Sequence, residues 1–418
     1  MLQMLVVADD FTGALDTGVQ FAKQGFATQV VSGPPDFSRA DMADVLVADA
    51  QSRHLEPERA YGAVYAWVRE ACARGVPLLY KKTDSTLRGN VGAEICAAMD
   101  ASARDVAIFP PAFPRLGRTV KQGIAYVKGV PLDKTDFARD SFNPVHSSAV
   151  AEILGEQTQA PVVLAEDGAS LAALAEGEGQ RIICLDASRE EELAAIARAA
   201  RPLRDRTVLA GCAGFAEFLP DWLQRRAENA PPASRAENML VVCGSVNAVS
   251  LAQTAAAERA GIPSICLTPR QCVKEGVWTT AEGQEVLARL VGLLQGERCV
   301  VVKTACCQED VEKTRQYALE KGIDPDWVHL RIASGLGSLV QQVTLRQRVD
   351  AVTVFGGDTL FGIVGQLGAR GIAPKREILP GLVQSELSTP EGGKMVFSKA
   401  GGFGEEDVIE RLWEKVKA

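Results

Sequence analysis

Short apolar runs alternate with longer amphipathic stretches along most of the chain. The runs are four or five residues long, which is typical of buried strands, and the stretches repeat apolar residues at helical spacing. Strands that alternate with helices in this way predict parallel sheets covered by helices. The strands predicted before residue 225 are 4–8, 28–32, 45–48, 76–80, 106–109, 162–165, 182–185 and 208–211, and the helices are 14–24, 61–73, 93–99 and 190–200.

The pattern lapses once and then begins again. Residues 225–234 are charged and then proline-rich, as expected of a linker. After it we predict strands at 239–243, 299–303, 351–355 and 395–398, and helices at 250–259, 335–348 and 405–416. The fold class is therefore α/β with two domains, 1–230 and 238–418, each a mostly parallel sheet flanked by helices.

Composition and charge limit the classes of ligand that the protein is expected to bind. The 418 residues include 47% hydrophobic and 23% charged residues, and the net charge of -8 comes without a dense Lys/Arg tract, so nucleic acid and membrane surfaces are not expected as partners. No apolar run approaches the roughly 18 residues needed to span a bilayer. The apolar N-terminus lacks a basic region and runs into Asp9, so it predicts a first strand and a cytoplasmic protein. A small molecule is the expected ligand, and a homodimer is the candidate assembly.

The segment 81–92 has the highest density of charged and hydroxyl side chains that could bind a ligand. It follows an apolar run and precedes a helix, which predicts a loop at the carboxyl end of a strand, where ligands bind in open α/β sheets. Lys82 and Arg88 can hold an anion, Asp84 can accept a proton or a hydrogen bond, and the hydroxyl of Ser85 or Thr86 can donate at the start of the helix. The combination suits a small acidic polyol, although Ser, Thr and Asp before a helix are also ordinary caps.

Two further strand ends carry charge. Asp9 and Asp10 follow the first strand, where a dinucleotide fold would have G-x-G-x-x-G, and they suit substrate hydroxyls, Mg²⁺ or a proton-accepting role. One of them could instead cap the next helix. Arg53 follows the third strand and could clamp a carboxylate with its planar guanidinium, although a loop arginine is more often solvated.

The second domain has glycine in three strand-exit loops. These are Gly244-Ser245, Gly356-Gly357-Asp358-Thr359 and Gly401-Gly402-Phe403-Gly404. Glycine lets backbone N–H groups approach phosphate oxygens, so the three loops together predict a triphosphate cradle. Each loop alone is more often a turn, and the Walker and protein-kinase motifs are missing.

Taken together, these motifs resemble the four-carbon acid sugar kinase family over nearly the whole chain. The resemblance is carried by residues 8–14, by 82–86 with 89–92, by 356–359, and by Lys399, Gly401, Phe403 and Gly404. It implies an N-terminal substrate domain, a C-terminal nucleotide domain and an active site in the cleft between them, with ATP and Mg²⁺ as cofactors. By this resemblance Asp9, Asp10, Arg53 and 82–85 face the sugar acid, whereas Ser245, 356–359 and the Gly401 loop with Gly402 and Gly404 face ATP.

The hypothesis is therefore an ATP-dependent kinase acting on the terminal (4-) hydroxyl of a four-carbon acid. The resemblance favours D-threonate, with D-erythronate or 3-oxo-tetronate as alternatives. Phosphoryl transfer needs one acid near the attacking hydroxyl, and the sequence leaves Asp84 and Asp10 as catalytic candidates without separating them. Mg²⁺ ligands are not identified, although Asp358 could orient the metal or the triphosphate. Hypotheses from other classes are an NAD-dependent sugar-acid dehydrogenase and a binding or sensor protein without turnover.

Overall fold

The structure is a computed structural model that describes residues 2–140, 143–225, 235–369, 371–399 and 402–417. The chain divides into two compact units, Met1–Asn229 and Ala230–Ala418. The predicted linker lies outside the described residues except for Arg225. Within the described ranges, no helix is long and apolar enough to cross a membrane.

The N-terminal unit is built on eight parallel strands in the order β2-β3-β1-β4-β11-β5-β10-β9. Their bounds are β1 Met4–Ala8, β2 Thr28–Ser32, β3 Val45–Asp49, β4 Leu78–Lys82, β5 Val106–Phe109, β9 Val162–Ala165, β10 Arg181–Leu185 and β11 Thr207–Gly211. The central strands β1, β3 and β4 are buried along their whole length, as expected of parallel strands covered on both faces.

Seven α-helices and a small second sheet complete the described part of this unit. The helices are α1 Phe11–Ala22, α2 Pro57–Ala73, α3 Val91–Ser102, α4 Val150–Gly155, α5 Leu171–Leu174, α6 Glu190–Ala200 and α7 Ala213–Ala216. The second sheet is antiparallel and consists of β6 Arg118–Lys121, β7 Ile124–Val127 and β8 Val130–Pro131.

Two elements near the predicted site differ from the sequence prediction. The fourth strand extends to Lys82, so Lys81 and Lys82 belong to β4 and not to the loop after it. Both lysines are buried. A hydrophobicity pattern ends the strand before them because it counts charged residues as exposed. The first helix begins at Phe11 instead of Ala14, because Asp10 is its N-cap.

The described part of the C-terminal unit has seven strands in the order β13-β14-β12-β15-β18-β17-β16. Their bounds are β12 Met239–Cys243, β13 Ser264–Cys266, β14 Cys299–Lys303, β15 Ala351–Phe355, β16 Ile372–Leu379, β17 Leu382–Thr389 and β18 Gly392–Lys399. The first five strands in this order are parallel to one another, whereas β17 is antiparallel to both β16 and β18. The β16–β17 hairpin was not predicted.

The described helices of this unit are α8 Ala248–Arg259, α9 Pro269–Val273, α10 Ala281–Gly296, α11 Gln308–Glu320, α12 Pro325–Arg346, α13 Gly357–Gln366 and α14 Val408–Val416. The core of the unit joins apolar residues of β12, β14, β15 and β18 to those of the last helix, including Phe355, Phe397 and Leu412, which are fully buried. The fold class predicted from the sequence, α/β with mostly parallel sheets in two units, is confirmed.

Candidate functional site

The two aspartates after β1 have different surroundings. Asp9 is buried, whereas the side chain of Asp10 is 26% exposed. Asp10 has extended backbone angles, and its Oδ1 accepts a hydrogen bond from the Gly13 N–H at 2.8 Å, so it caps α1. The cap interpretation therefore holds for Asp10, yet its second oxygen stays available for other contacts.

Arg53 joins the two aspartates. Its Nε donates to Asp9 Oδ2 at 2.8 Å and its Nη1 donates to Asp10 Oδ2 at 2.7 Å. Burial alone would lower the pKa of Arg53, but the carboxylates of Asp10, Asp9 and Asp84 raise it well above its ordinary value. Burial raises the pKa of Asp9, and Arg53, Lys82 and Lys81 together outweigh this and lower it. The geometry thus makes a compact, charge-balanced group from residues far apart in sequence.

Asp84 is held by the loop that follows β4. Arg88 donates to it twice, from Nε to Oδ2 at 2.9 Å and from Nη2 to Oδ1 at 3.2 Å, and the Thr86 hydroxyl also donates to Oδ2. Burial raises the pKa of Asp84, but Arg88 and Arg53 hold it well below its ordinary value. A carboxylate stabilised so strongly in its charged form is a weak proton acceptor.

The other substrate-side residues surround this loop. Thr83 is anchored by its backbone N–H, which donates to Gly211 O at 2.8 Å, while its buried hydroxyl has no partner within the described residues. Ser85 is half-buried and lies in the turn that follows Asp84. Lys82 is only 4% exposed and, in the part of the chain that the structure describes, makes no salt bridge or side-chain hydrogen bond. The structure therefore brings the predicted substrate-side residues to one edge of the sheet, the carboxyl ends of β1, β3 and β4.

Two buried acids at this edge were not identified from the sequence. Glu94 of α3 accepts a salt bridge from Lys81 at 2.8 Å, with both side chains almost fully buried. Asp49, the last residue of β3, accepts hydrogen bonds from the Ser32 hydroxyl at 2.5 Å and the Gln51 N–H at 3.1 Å. Burial, together with nearby Asp10 and Asp9, raises the pKa of Asp49 to about 7. An acid within a strand or helix carries no local signal of its partner, which comes from tertiary contact alone.

In the C-terminal unit the three glycine loops follow neighbouring parallel strands. Cys243 of β12 is paired with Phe355 of β15, and Phe355 is paired with Lys399 of β18, so the three strands end side by side. The N–H groups of Gly244 and Ser245 donate to Phe355 O at 3.2 and 3.1 Å. Gly401 lies outside the described residues, whereas Gly402 and Gly404 are described and exposed.

Close backbone packing explains two of these glycines. A Cβ added to Gly244 would lie 2.1 Å from Thr359 Oγ1, so a side chain there would displace the buried Thr359. Gly356 has a φ of 112°, a conformation that favours glycine. It is the N-cap of α13 and provides no side-chain cap, so the N–H groups of Gly357, Asp358 and Thr359 begin the helix without one. This arrangement fits a phosphate chain, which such N–H groups bind.

Lys399, the last residue of β18, is a buried cation at this edge. Its Nζ donates to Phe403 O at 2.9 Å and lies 4.7 Å from the centre of the Phe355 ring. Burial lowers the pKa of Lys399 to about 8. Lys399 therefore ties the last glycine loop to β15, a positioning role that the sequence motif did not reveal.

One group within the described residues could hold a metal ion. The ligand atoms of Cys266, Cys306 and Asp310 all lie within 4.8 Å of one another, and both cysteines are exposed. Mg²⁺ prefers oxygen ligands in near-octahedral geometry, so this sulfur-rich group does not fit it.

Comparison with known proteins agrees with the geometry of both units. Residues 4–219 match the family model described as a sugar-binding N-terminal domain, and residues 240–409 match that of a nucleotide-binding C-terminal domain. The chain is 35% identical to a D-threonate kinase of Salmonella typhimurium over 98% of this chain and 97% of that protein. It is 32% identical to a D-erythronate kinase of Heliobacterium modesticaldum over 91% of this chain and 89% of that protein.

The chain therefore belongs to the four-carbon acid sugar kinase family. It is a kinase, as its curated relatives are, and the comparisons give no support to the dehydrogenase hypothesis. A solved structure from Salmonella typhimurium LT2 shares the fold, with a TM-score of 0.81 at 22% identity and complete coverage of both chains.

Proposed function

We propose that this kinase transfers the γ-phosphoryl group of ATP to the 4-hydroxyl of D-threonate, giving 4-phospho-D-threonate. The observation that carries the proposal is the group formed by Asp9, Asp10, Arg53 and Asp84 at the carboxyl edge of the N-terminal sheet. Carboxylates and guanidinium groups in one place can hydrogen-bond the hydroxyls of a sugar acid in defined positions. Likeness to a D-threonate kinase supports this substrate, and D-erythronate and 3-oxo-tetronate are the alternatives.

Asp10 is the better candidate for the acid near the attacking hydroxyl. Its carboxylate is partly exposed and receives one hydrogen bond from Arg53 and one from a backbone N–H. Asp84 has both oxygens occupied by Arg88, and its pKa is held low. We therefore assign proton acceptance to Asp10 and the orientation of Arg88 and Arg53 to Asp84.

The C-terminal loops would hold the nucleotide. The uncapped N–H groups of Gly357, Asp358 and Thr359 in the first turn of α13 would bind phosphate oxygens. The N–H groups of Gly244 and Ser245 already donate to Phe355 O, so Ser245 would contribute its hydroxyl, and Gly244 would keep the backbone close to Thr359. Mg²⁺ would supply charge neutralisation on the phosphates. Asp358, exposed in the first turn of α13, is the candidate to orient it. The predicted interdomain cleft, the domain bounds, the homodimer and the cytoplasmic location stay predictions.

A coupled assay for ADP release tests the proposal. D-threonate, D-erythronate and 3-oxo-tetronate would be compared at several concentrations with ATP and Mg²⁺. We expect kcat/KM for D-threonate to exceed that for D-erythronate at least about tenfold, since a hydroxyl of the wrong configuration leaves buried polar groups unpaired. Equal or reversed rates would reject D-threonate and keep the kinase, whereas no ADP with any four-carbon acid would reject the substrate class.

A further inference from the structure

The cations at the N-terminal edge are unequally paired. Arg53 is paired with Asp9 and Asp10, Lys81 with Glu94, and Arg88 with both Asp84 and Asp140. Two cations, Lys82 and Arg118, form no salt bridge with any residue that the structure describes. Lys82 is buried, and Arg118 is half-buried with a buried Nε. Because a charge shielded from water without a partner is costly, both are suited to an anion that is not part of the protein.

Arg118 is the first residue of β6 and is fixed in place without neutralising its charge. Its Nε is buried and has no hydrogen-bond acceptor among the described residues. Its guanidinium lies 5.1 Å from the centre of the Phe137 ring, and the guanidinium of Arg88 lies 5.3 Å from the same ring. Burial lowers the pKa of Arg118, while nearby Asp84 opposes this. The aromatic contact orients the planar group before a ligand arrives.

Lys82 and Arg118 have different neighbours. A Cβ added to Gly13 would lie 2.7 Å from Lys82 Nζ and 2.5 Å from Asp10 Oδ1, so the ammonium lies beside the first turn of α1 and the proposed proton acceptor. The charged neighbours of Arg118 are Asp84 and Arg88. The two unpaired cations thus lie near different carboxylates, one near Asp10 and one near Asp84.

We infer that Arg118 binds the carboxylate of the substrate and thereby selects sugar acids over neutral four-carbon polyols. The inference rests on the proposed function, because it assumes that the acid binds at this edge. A guanidinium can donate two parallel hydrogen bonds to a carboxylate, which a lysine cannot do. Arg53, predicted from the sequence as the carboxylate clamp, already donates to two aspartates. Lys82 is left beside Asp10, at the end where the hydroxyl reacts.

The test compares Arg118→Met with the wild-type enzyme. Binding of D-threonate is measured by calorimetry without nucleotide, and KM and kcat are measured in the ADP-release assay. We expect the dissociation constant and KM for D-threonate to rise about 100-fold while kcat stays within a few-fold, because the contact is the same in the ground and transition states. Inhibition by the neutral polyol D-threitol should change less than threefold, and Arg118→Lys should restore part of the affinity.

Arg115→Met is the matched control. Arg115 lies in the turn just before β6, is stacked over the Phe113 ring at 5.4 Å and forms a salt bridge with Glu217 at 3.5 Å. Its replacement should leave D-threonate binding unchanged. Unchanged binding in Arg118→Met, or an equal loss for D-threonate and D-threitol, would overturn the inference. Binding that depends on Arg118 without any turnover would reject the proposed kinase reaction alone, and no binding of any four-carbon acid to the wild-type enzyme would reject both.

Discussion

The two predicted ligand edges share a topology and differ in chemistry. Both lie at the carboxyl ends of parallel strands, where loops converge. The N-terminal edge is lined by buried or half-buried charged side chains, whereas the described C-terminal loops contribute mainly glycine and, in the first turn of α13, N–H groups without a side-chain cap. A polyhydroxy acid needs donors and acceptors at defined positions, and a phosphate chain needs many donors at close range. The difference indicates that each unit matches a different ligand class.

We expect the same difference to appear in stability, because breaking an ion pair that is buried on both sides should cost more than breaking one with an exposed partner. Lys81 and Glu94 are both almost fully buried, whereas the buried Lys303, the last residue of β14, pairs at 2.9 Å with Glu258, whose side chain is 40% exposed.

We expect Lys81→Met to lower the free energy of unfolding by about 3–5 kcal/mol, because it leaves Glu94 charged or protonated without a partner. Lys303→Met should cost much less, since Glu258 can be hydrated. Urea unfolding monitored by circular dichroism measures both. The contrast between the edges would fail if the two variants lost equal stability, and a Lys81→Met/Glu94→Leu double variant should recover part of the loss.

The second expectation concerns turnover. Asp10→Asn should lower kcat about 100-fold, in the range of lost general-base assistance, while keeping the fold, because asparagine is also a good N-cap for α1. Asp84→Asn should raise KM more than it lowers kcat, because it frees Arg88 and Arg53. Steady-state kinetics on both variants, with thermal unfolding as the control for folding, decides between them. Near-normal turnover in Asp10→Asn would return the catalytic role to Asp84.

The two edges also differ in how much of their structure could be predicted from the sequence. The parallel strands, the exit loops and the aspartate pair could be predicted, since each has a local pattern of burial or composition. The Lys81–Glu94 and Asp49–Ser32 contacts could not, because the first depends on how α3 packs against β4 and the second on the pairing of β2 with β3. The antiparallel β16–β17 hairpin was missed because polar residues such as Lys375, Arg376 and Glu377 interrupt its apolar pattern. That no described residue forms a salt bridge with Arg118 is a property of its surroundings and has no sequence signal.

A third expectation tests the backbone character of the C-terminal edge. Gly356→Val should raise KM for ATP more than tenfold and leave KM for the sugar acid within twofold, because a φ of 112° is strained for a β-branched residue at the N-cap of α13. Gly365→Ala is the control on the same helix, since an added Cβ there meets no atom within 4 Å. If Gly356→Val instead damaged KM for the sugar acid, the division between the two edges would be wrong.

The last expectation concerns a slope in stability with pH at the N-terminal edge. Native Asp49 keeps its proton up to about pH 7, whereas the unfolded chain releases it near the ordinary value. Between about pH 4 and 7 the native state therefore binds more protons, so this group makes the free energy of unfolding fall as pH rises, by at most about 1.4 kcal/mol per pH unit. Asp49→Asn should remove that contribution, which urea unfolding at pH 5, 6 and 7 would measure.

The exposed Asp36, whose pKa is lowered by hydrogen bonds from Ser38, titrates below this window, so Asp36→Asn should keep the wild-type slope. An identical slope in Asp49→Asn and the wild-type protein would show that Asp49 is ionised in the native state, and the charge balance around Asp9 and Asp10 would then include one more negative charge.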